Sequence, residues 1–180
     1  LVAIDGEWGI SMRLDSSLVW PKQMTLGAIQ DDKLVEAFGE QIGKECRLVG
    51  VNVNFTPVVD VNVNPSNPVI DYRSFGEDKF NVALKGIACS KGLGRAGVMA
   101  CAKHFPGHGD TDKDSHKTLP VLNHTKDRLH HIELYPFKAM INSKVPSLMA
   151  AHLNIPALDD TENLPSSLSK KILTELLRDS

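Results

Sequence analysis

The stretch Val98-Met99-Ala100-Cys101-Ala102, followed at once by Lys103-His104-Phe105-Pro106-Gly107-His108-Gly109-Asp110-Thr111-Asp112-Lys113-Asp114-Ser115-His116, decides how this chain is read. The first five residues form a short apolar run of the kind that parallel sheets bury on both faces. Directly behind it stand three histidines, three aspartates, two lysines and two glycines. A buried strand that opens into such a loop puts titratable groups at the mouth of a sheet, where α/β proteins keep their chemistry.

The same arrangement recurs on either side. Leu1 to Ile4 is apolar and ends in Asp5-Gly6-Glu7. Val51 to Phe55 and Val58 to Val61 are β-rich segments broken by Pro57, and Leu148 to Ala151 is an apolar run that ends at His152. Helical spacing lies between them. Leu34, Phe38, Ile42 and Cys46 recur every four residues behind Asp31 and Asp32, which suit a helix start, and Gly50 suits the exit. Asp78 can cap a second helix carrying Phe80, Leu84 and Ile87 on one side, with Gly97 ahead of the next strand. Leu129, Ile132, Met140 and Ile141 mark a helical region interrupted by Pro136. Ser169 can cap a last helix, with Leu168 and Leu173 as a hydrophobic staple.

Strand and helix thus alternate about four times, with no sequence repeat, and polar residues stand at the strand ends: Asp5, Asn54, Lys103-His104 and His152. This predicts a parallel β/α protein, most economically part of a (β/α)8 barrel. A complete barrel takes about 250 residues. The 180 residues here therefore predict a single domain over residues 1–180 that is a partial barrel, or else an open sheet.

Composition narrows the function classes. With 42% hydrophobic and 23% charged residues the chain can bury a sizeable core, and a net charge of -2 with Lys and Arg dispersed gives no basic face for nucleic acid. No segment reads as a membrane span. Cys46, Cys89 and Cys101 are widely spaced and set among apolar residues, which fits buried free thiols rather than a disulfide framework or a zinc knuckle.

In the histidine loop, Asp114 and His116 are separated by one residue, so both side chains can project to the same side and form a carboxylate–imidazole pair. Such a pair moves protons: the carboxylate fixes the tautomer and raises the basicity of an imidazole whose ordinary pKa, about 6.5, already lies near working pH. A metal site is the competing reading, since His104, His108, Asp110 and His116 offer nitrogen and oxygen ligands. Pro106, Gly107 and Gly109 argue against the helix that would align them on one ion.

These residues resemble glycoside hydrolase family 3, in its β-N-acetylhexosaminidase branch. The resemblance rests on Ile4-Asp5-Gly6-Glu7 with Arg13 eight residues beyond Asp5, on Asn54-Phe55-Thr56-Pro57-Val58-Val59-Asp60-Val61, on Arg73-Ser74-Phe75-Gly76, on the whole Lys103 to His116 run, and on Ala151-His152. It implies an N-terminal barrel domain lacking its first strand and its later strands. It also implies removal of terminal β-linked N-acetylglucosamine, from peptidoglycan fragments or chitooligosaccharides, by a retaining double displacement.

By the same resemblance His116 is the general acid/base, Asp114 its orienting partner, and Asp5, Arg13, Arg73, Lys103 and His104 hold the sugar. No metal or organic cofactor is implied; the partner is a carbohydrate containing N-acetylglucosamine, and the rest of a parent chain would close the barrel. Bacterial cytoplasm and cell envelope both stay open. An ion pair at the rim is the plainer reading of Asp5 and Arg13, and His152 can be either a pocket residue or a structural histidine. His108 and Asp110 would shape the loop, while His124, His130 and His131 read as surface residues of a helical segment.

Two departures stand out. Trp8 takes the place of a glycine common in relatives. The family's nucleophilic aspartate belongs on a strand after the helix that begins near Ser169, and Asp159, Asp160 and Asp179 do not stand in its context, so the 180-residue chain alone is expected to have little or no hydrolase activity. A β-glucosidase-type hydrolase, a phosphorylase of the same family and a non-catalytic sugar-binding relative are the rivals.

Overall fold

Short apolar runs punctuated by polar residues give short strands. The computed structural model describes residues 1–112 and 118–179, and in it β1 (Ala3–Ile4), β2 (Val53–Asn54), β3 (Met99–Phe105) and β4 (Ser147–Ala150) pair in that spatial order, every pair parallel. Ala3 aligns with Val53, Val53 with Met99, and Lys103 with Met149. Parallel neighbours need crossovers, and helices supply them on one side, as in part of a (β/α)8 barrel. All four strands therefore end on one edge, which collects Asp5, Lys103, His104 and His152.

The crossovers are α1 (Gln23–Gly27) with α2 (Asp32–Leu48) after β1, α3 (Lys79–Arg95) after β2, and α4 (Lys126–His131) with α5 (Leu134–Asn142) after β3. The caps fall where the sequence puts them: the Asp31 carboxylate accepts from the Lys33 amide at 3.0 Å and Asp78 from the Asn81 amide at 2.7 Å. Phe38, Ile42 and Cys46 are buried, but Leu34 faces water and Val35 takes its place in the core. On α3 the expected face is wrong in part: Phe80 and Leu84 are exposed, and Val82, Ala83, Ala88 and Cys89 are buried. Small residues line that buried side because α2 and α3 pack closely. A Cβ on Gly92 would lie 2.0 Å from the Glu36 carbonyl oxygen, and one on Gly39 2.3 Å from that of Cys89.

Pro136 does not interrupt a helix. It sits in the first turn of α5, where its missing N–H has no partner to lose, and the break falls instead at Ile132 and Glu133. Phe137 on α5 meets Phe105 on β3 edge-on at 5.4 Å and ties the outer layer to the sheet. Of the β-rich stretch, Val53–Asn54 is strand, and Val58 makes only an isolated bridge to Lys103. Ser169 does cap the final helical turns, its Oγ accepting from the Ile172 amide at 3.1 Å, but Leu168 is exposed and forms no staple. The three thiols are buried and free, and burial pushes Cys46 up to about 11 and Cys89 to about 12. No helix among the described residues is long and apolar enough to cross a membrane.

Candidate active site

Lys103 occupies the end of β3 with its side chain almost wholly buried, which is tenable only with anionic partners. It has two: Nζ lies 2.9 Å from Asp5 Oδ1 and 2.8 Å from Glu7 Oε1. Glu7 is itself 1% exposed and receives Arg73 as a fork, Nε to Oε2 at 3.0 Å and Nη2 to Oε1 at 2.6 Å. Arg73 is fixed a third time by Nη1 donating to the Val69 carbonyl at 3.0 Å. At the rim Arg13 Nη2 stands 3.4 Å from Asp5 Oδ2, both half exposed. Arg13, Asp5, Lys103, Glu7 and Arg73 thus form one continuous row of alternating charge.

His104 extends the row. Its Nε2 lies 3.5 Å from Arg73 Nη2, and its Nδ1 lies 2.7 Å from Oδ2 of Asp60, a fully buried carboxylate. Asp60 also accepts the His104 amide at 3.2 Å and the His108 amide at 2.7 Å. The ionised acceptor at Nδ1 holds a ring proton on that nitrogen and turns Nε2 toward Arg73. Burial by itself would raise the Asp60 carboxyl, but the charges and donors of His104 and His108 outweigh it and hold the group below the ordinary carboxylate range. Glu7 and Asp5 behave alike: burial raises them, and Arg73 with Lys103, or Lys103 with Arg13, brings them down further. Burial would lower Arg73, but Glu7 raises it beyond its ordinary value. Arg73 is therefore charged before any ligand arrives.

These side chains border a cavity of about 470 Å³ at the carboxyl edge of the sheet, with Met12, Phe55, Val69, Met149 and His152 supplying much of the rest of the wall. Asn54 does not enter it. Its amide pins Gly6, accepting from the Gly6 N–H and donating to the Gly6 carbonyl, each at 3.0 Å, and so sets the turn that presents Asp5 and Glu7. Trp8 packs edge-on against Tyr72, and Lys22 Nζ lies 3.5 Å from the centre of the Tyr72 ring, which fastens the two loops carrying Glu7 and Arg73 to each other.

All five residues expected to hold sugar, Asp5, Arg13, Arg73, Lys103 and His104, line this one cavity. The expected acid/base pair, Asp114 and His116, lies outside the described residues. Glu7, Asp60 and His108 belong to the same cluster and were not singled out as site residues. A signal for Asp60 was present, since a lone carboxylate between Val59 and Val61 in a β-rich segment must find buried partners. His108 is buried, its Nδ1 2.6 Å from Thr111 Oγ1, and burial lowers its pKa.

His124 is not on a helix surface. It precedes α4 and places Nε2 2.8 Å from Asp110 Oδ2. Asp110, His124 and Glu133 bring ligand-type atoms within 4.8 Å of one another, but the Arg128 guanidinium already bridges Asp110 at 3.4 Å and Glu133 at 3.0 Å. A cation thus stands between those carboxylates, and the cluster reads as an ion network that fastens the root of the histidine loop to α4 and α5.

A prewired row of carboxylates and cations at the carboxyl edge of a parallel β/α sheet lies where β/α-barrel enzymes place their polar-substrate sites. Residues 1–180 match the Glycosyl hydrolase family 3 N terminal domain. The chain belongs to glycoside hydrolase family 3. It is 40% identical to Beta-hexosaminidase A of Pseudoalteromonas piscicida over 98% of its own length and 32% of the relative's. Among solved structures it is similar to a family 3 beta-N-acetylglucosaminidase from Paenibacillus, with TM-score 0.94, 44% identity, and coverage of 99% of this chain and 34% of that one. It is also similar to the beta-glucoside phosphorylase BglX, with TM-score 0.94, 30% identity, and coverage of 99% and 34%. The chain spans about one third of the length of each of these relatives.

Proposed function

We propose that the protein carrying this chain is a retaining exo-β-N-acetylglucosaminidase that removes terminal N-acetylglucosamine from peptidoglycan fragments or chitooligosaccharides. The observation that carries this reading is the charge row from Arg13 to His104 around the cavity. A pyranose presents hydroxyls that both donate and accept, and Asp5 accepts such protons while Lys103, Arg73 and Arg13 donate to hydroxyl and acetamido oxygens. Since the donors are held by carboxylates before binding, little side-chain ordering remains for the sugar to impose. The same branch of relatives, named hexosaminidase and N-acetylglucosaminidase, supports the choice of sugar.

In this reading His116, oriented by Asp114, gives its proton to the leaving oxygen in the first step and takes one from water in the second. The nucleophile is an aspartate supplied by the parent protein. Replacing His116 by alanine in that protein should slow an aryl N-acetylglucosaminide with a poor leaving group far more than one with a good leaving group. Equal losses on both would overturn the assignment.

The likeness to a phosphorylase keeps one second reading in play, in which phosphate replaces water as the acceptor. A histidine acid/base repels incoming phosphate less than a carboxylate would. Release of sugar 1-phosphate on adding inorganic phosphate would favour it, and release of free sugar alone would favour hydrolysis.

A further inference from the structure

The charged groups described so far reach the cavity from β1, the loop after β2, and β3. The wall next to β3, contributed by β4 and its end, is Met149, Ala150 and Ala151, followed by one polar side chain, His152. That side chain is exposed, yet it is held: Nδ1 lies 2.7 Å from Ser167 Oγ, and among the described residues Nε2 has no partner.

The turn that supplies Ser167 is fastened to the end of β4 at three points. Ser166 Oγ donates to the Ala151 carbonyl at 2.6 Å, Ser166 Oγ accepts from the Leu153 amide at 3.3 Å, and the Ser166 amide donates to the Leu153 carbonyl at 2.7 Å. Ser166 is fully buried. An exposed imidazole has no need of such bracing for packing alone, because a solvated ring loses rotamer freedom on being fixed and gains little area in return. Bracing is useful where one ring nitrogen must be aimed.

We propose that His152 is a substrate-binding residue, its Nε2 taking a hydroxyl of the bound pyranoside from the β4 side while Ser167 sets the ring. The assignment rests on the sugar-binding reading of the cavity. It adds a contact from β4 to the grip: charged groups reach the sugar from the loop after β1, the loop after β2 and β3, and an imidazole, able to donate or accept by tautomer, reaches it from β4.

The test is calorimetric titration of the purified protein with N-acetylglucosamine, beside histidine-selective 1H–15N spectra. His152→Ala should weaken binding about 3- to 10-fold, the range of one hydrogen bond, Ser167→Ala should weaken it about 2-fold, and His152→Gln should recover most of the loss. The His152 Nε2 resonance should move on adding sugar while that of exposed His130 stays in place. Wild-type affinity in His152→Ala together with loss in Arg73→Ala would overturn this assignment and leave the cavity reading intact. Binding that survives Arg73→Ala, or no binding by the wild type, would overturn the cavity reading and this assignment with it. Circular dichroism identical to wild type shows that the exposed substitutions leave the fold unchanged.

Discussion

Glu7 shows how much one side chain can carry. A single buried carboxylate neutralises Lys103 and Arg73 together, so its removal strands one cation at the cavity wall. Glu7→Gln should cost about 3 kcal/mol in urea unfolding, the usual penalty for breaking a buried pair from one side. Arg13→Gln breaks only a half-exposed pair and should cost less than about 1 kcal/mol. The depressed carboxyls of Glu7 and Asp60 also fix the sign of the acid response. A carboxyl whose folded pKa lies below its unfolded value, about 4, leaves the folded state with fewer bound protons than the unfolded chain as pH falls. Their stabilisation is complete above that pH and lost as pH drops through the folded values. Urea midpoints should therefore fall between pH 5 and pH 3, and Asp60→Asn should show a shallower fall. Buried His108 adds a separate loss that begins near its ordinary pKa, about 6.5, because the folded state resists its protonation.

At the scale of elements, the pairing of α2 with α3 depends on the absence of side chains. Gly92 lets the backbones touch at Glu36, whereas Gly94, two residues on, faces open space. Alanine should thus have opposite effects at the two positions. Gly92→Ala forces the helices apart and should destabilise by about 2 kcal/mol or more. Gly94→Ala removes only the flexibility of a helical glycine and should stabilise by roughly 0.5–1 kcal/mol. Thermal melts of the two variants decide this, and a loss at both would show that the space at Gly94 matters for another reason.

The whole molecule is a row of four parallel strands whose inner members, β2 and β3, are covered and whose outer members, β1 and β4, are less so. β4 is only half buried, and no strand pairs with its outer side among the described residues. Hydrogen exchange should follow this order: amides of β3 should open only with global unfolding, and outward amides of β4 should exchange at least about tenfold faster. An uncovered strand edge is also a template for pairing. The 180-residue chain on its own is expected to associate as its concentration rises, which sedimentation velocity would measure, and a concentration-independent monomer would contradict that expectation.

The sequence by itself determined the alternation of strands and helices, the caps at Asp31 and Asp78, the burial of three free thiols, and the identity of five cavity residues. The first three depend on local signals, apolar runs and capping carboxylates, while the five cavity residues followed from the resemblance of their motifs to glycoside hydrolase family 3. Which face of each helix is buried depended on the partner it meets, and so Leu34, Phe80 and Leu84 face water although their spacing is helical. The roles of Glu7 and Asp60 were likewise decided by tertiary structure. Glu7 stands 96 residues from Lys103 and 66 from Arg73 in sequence, and only the parallel registry of β1 with β2 and of β2 with β3 brings them within hydrogen-bonding distance. Sequence supplies charges, but which carboxylate neutralises which cation is fixed by the distances that folding sets.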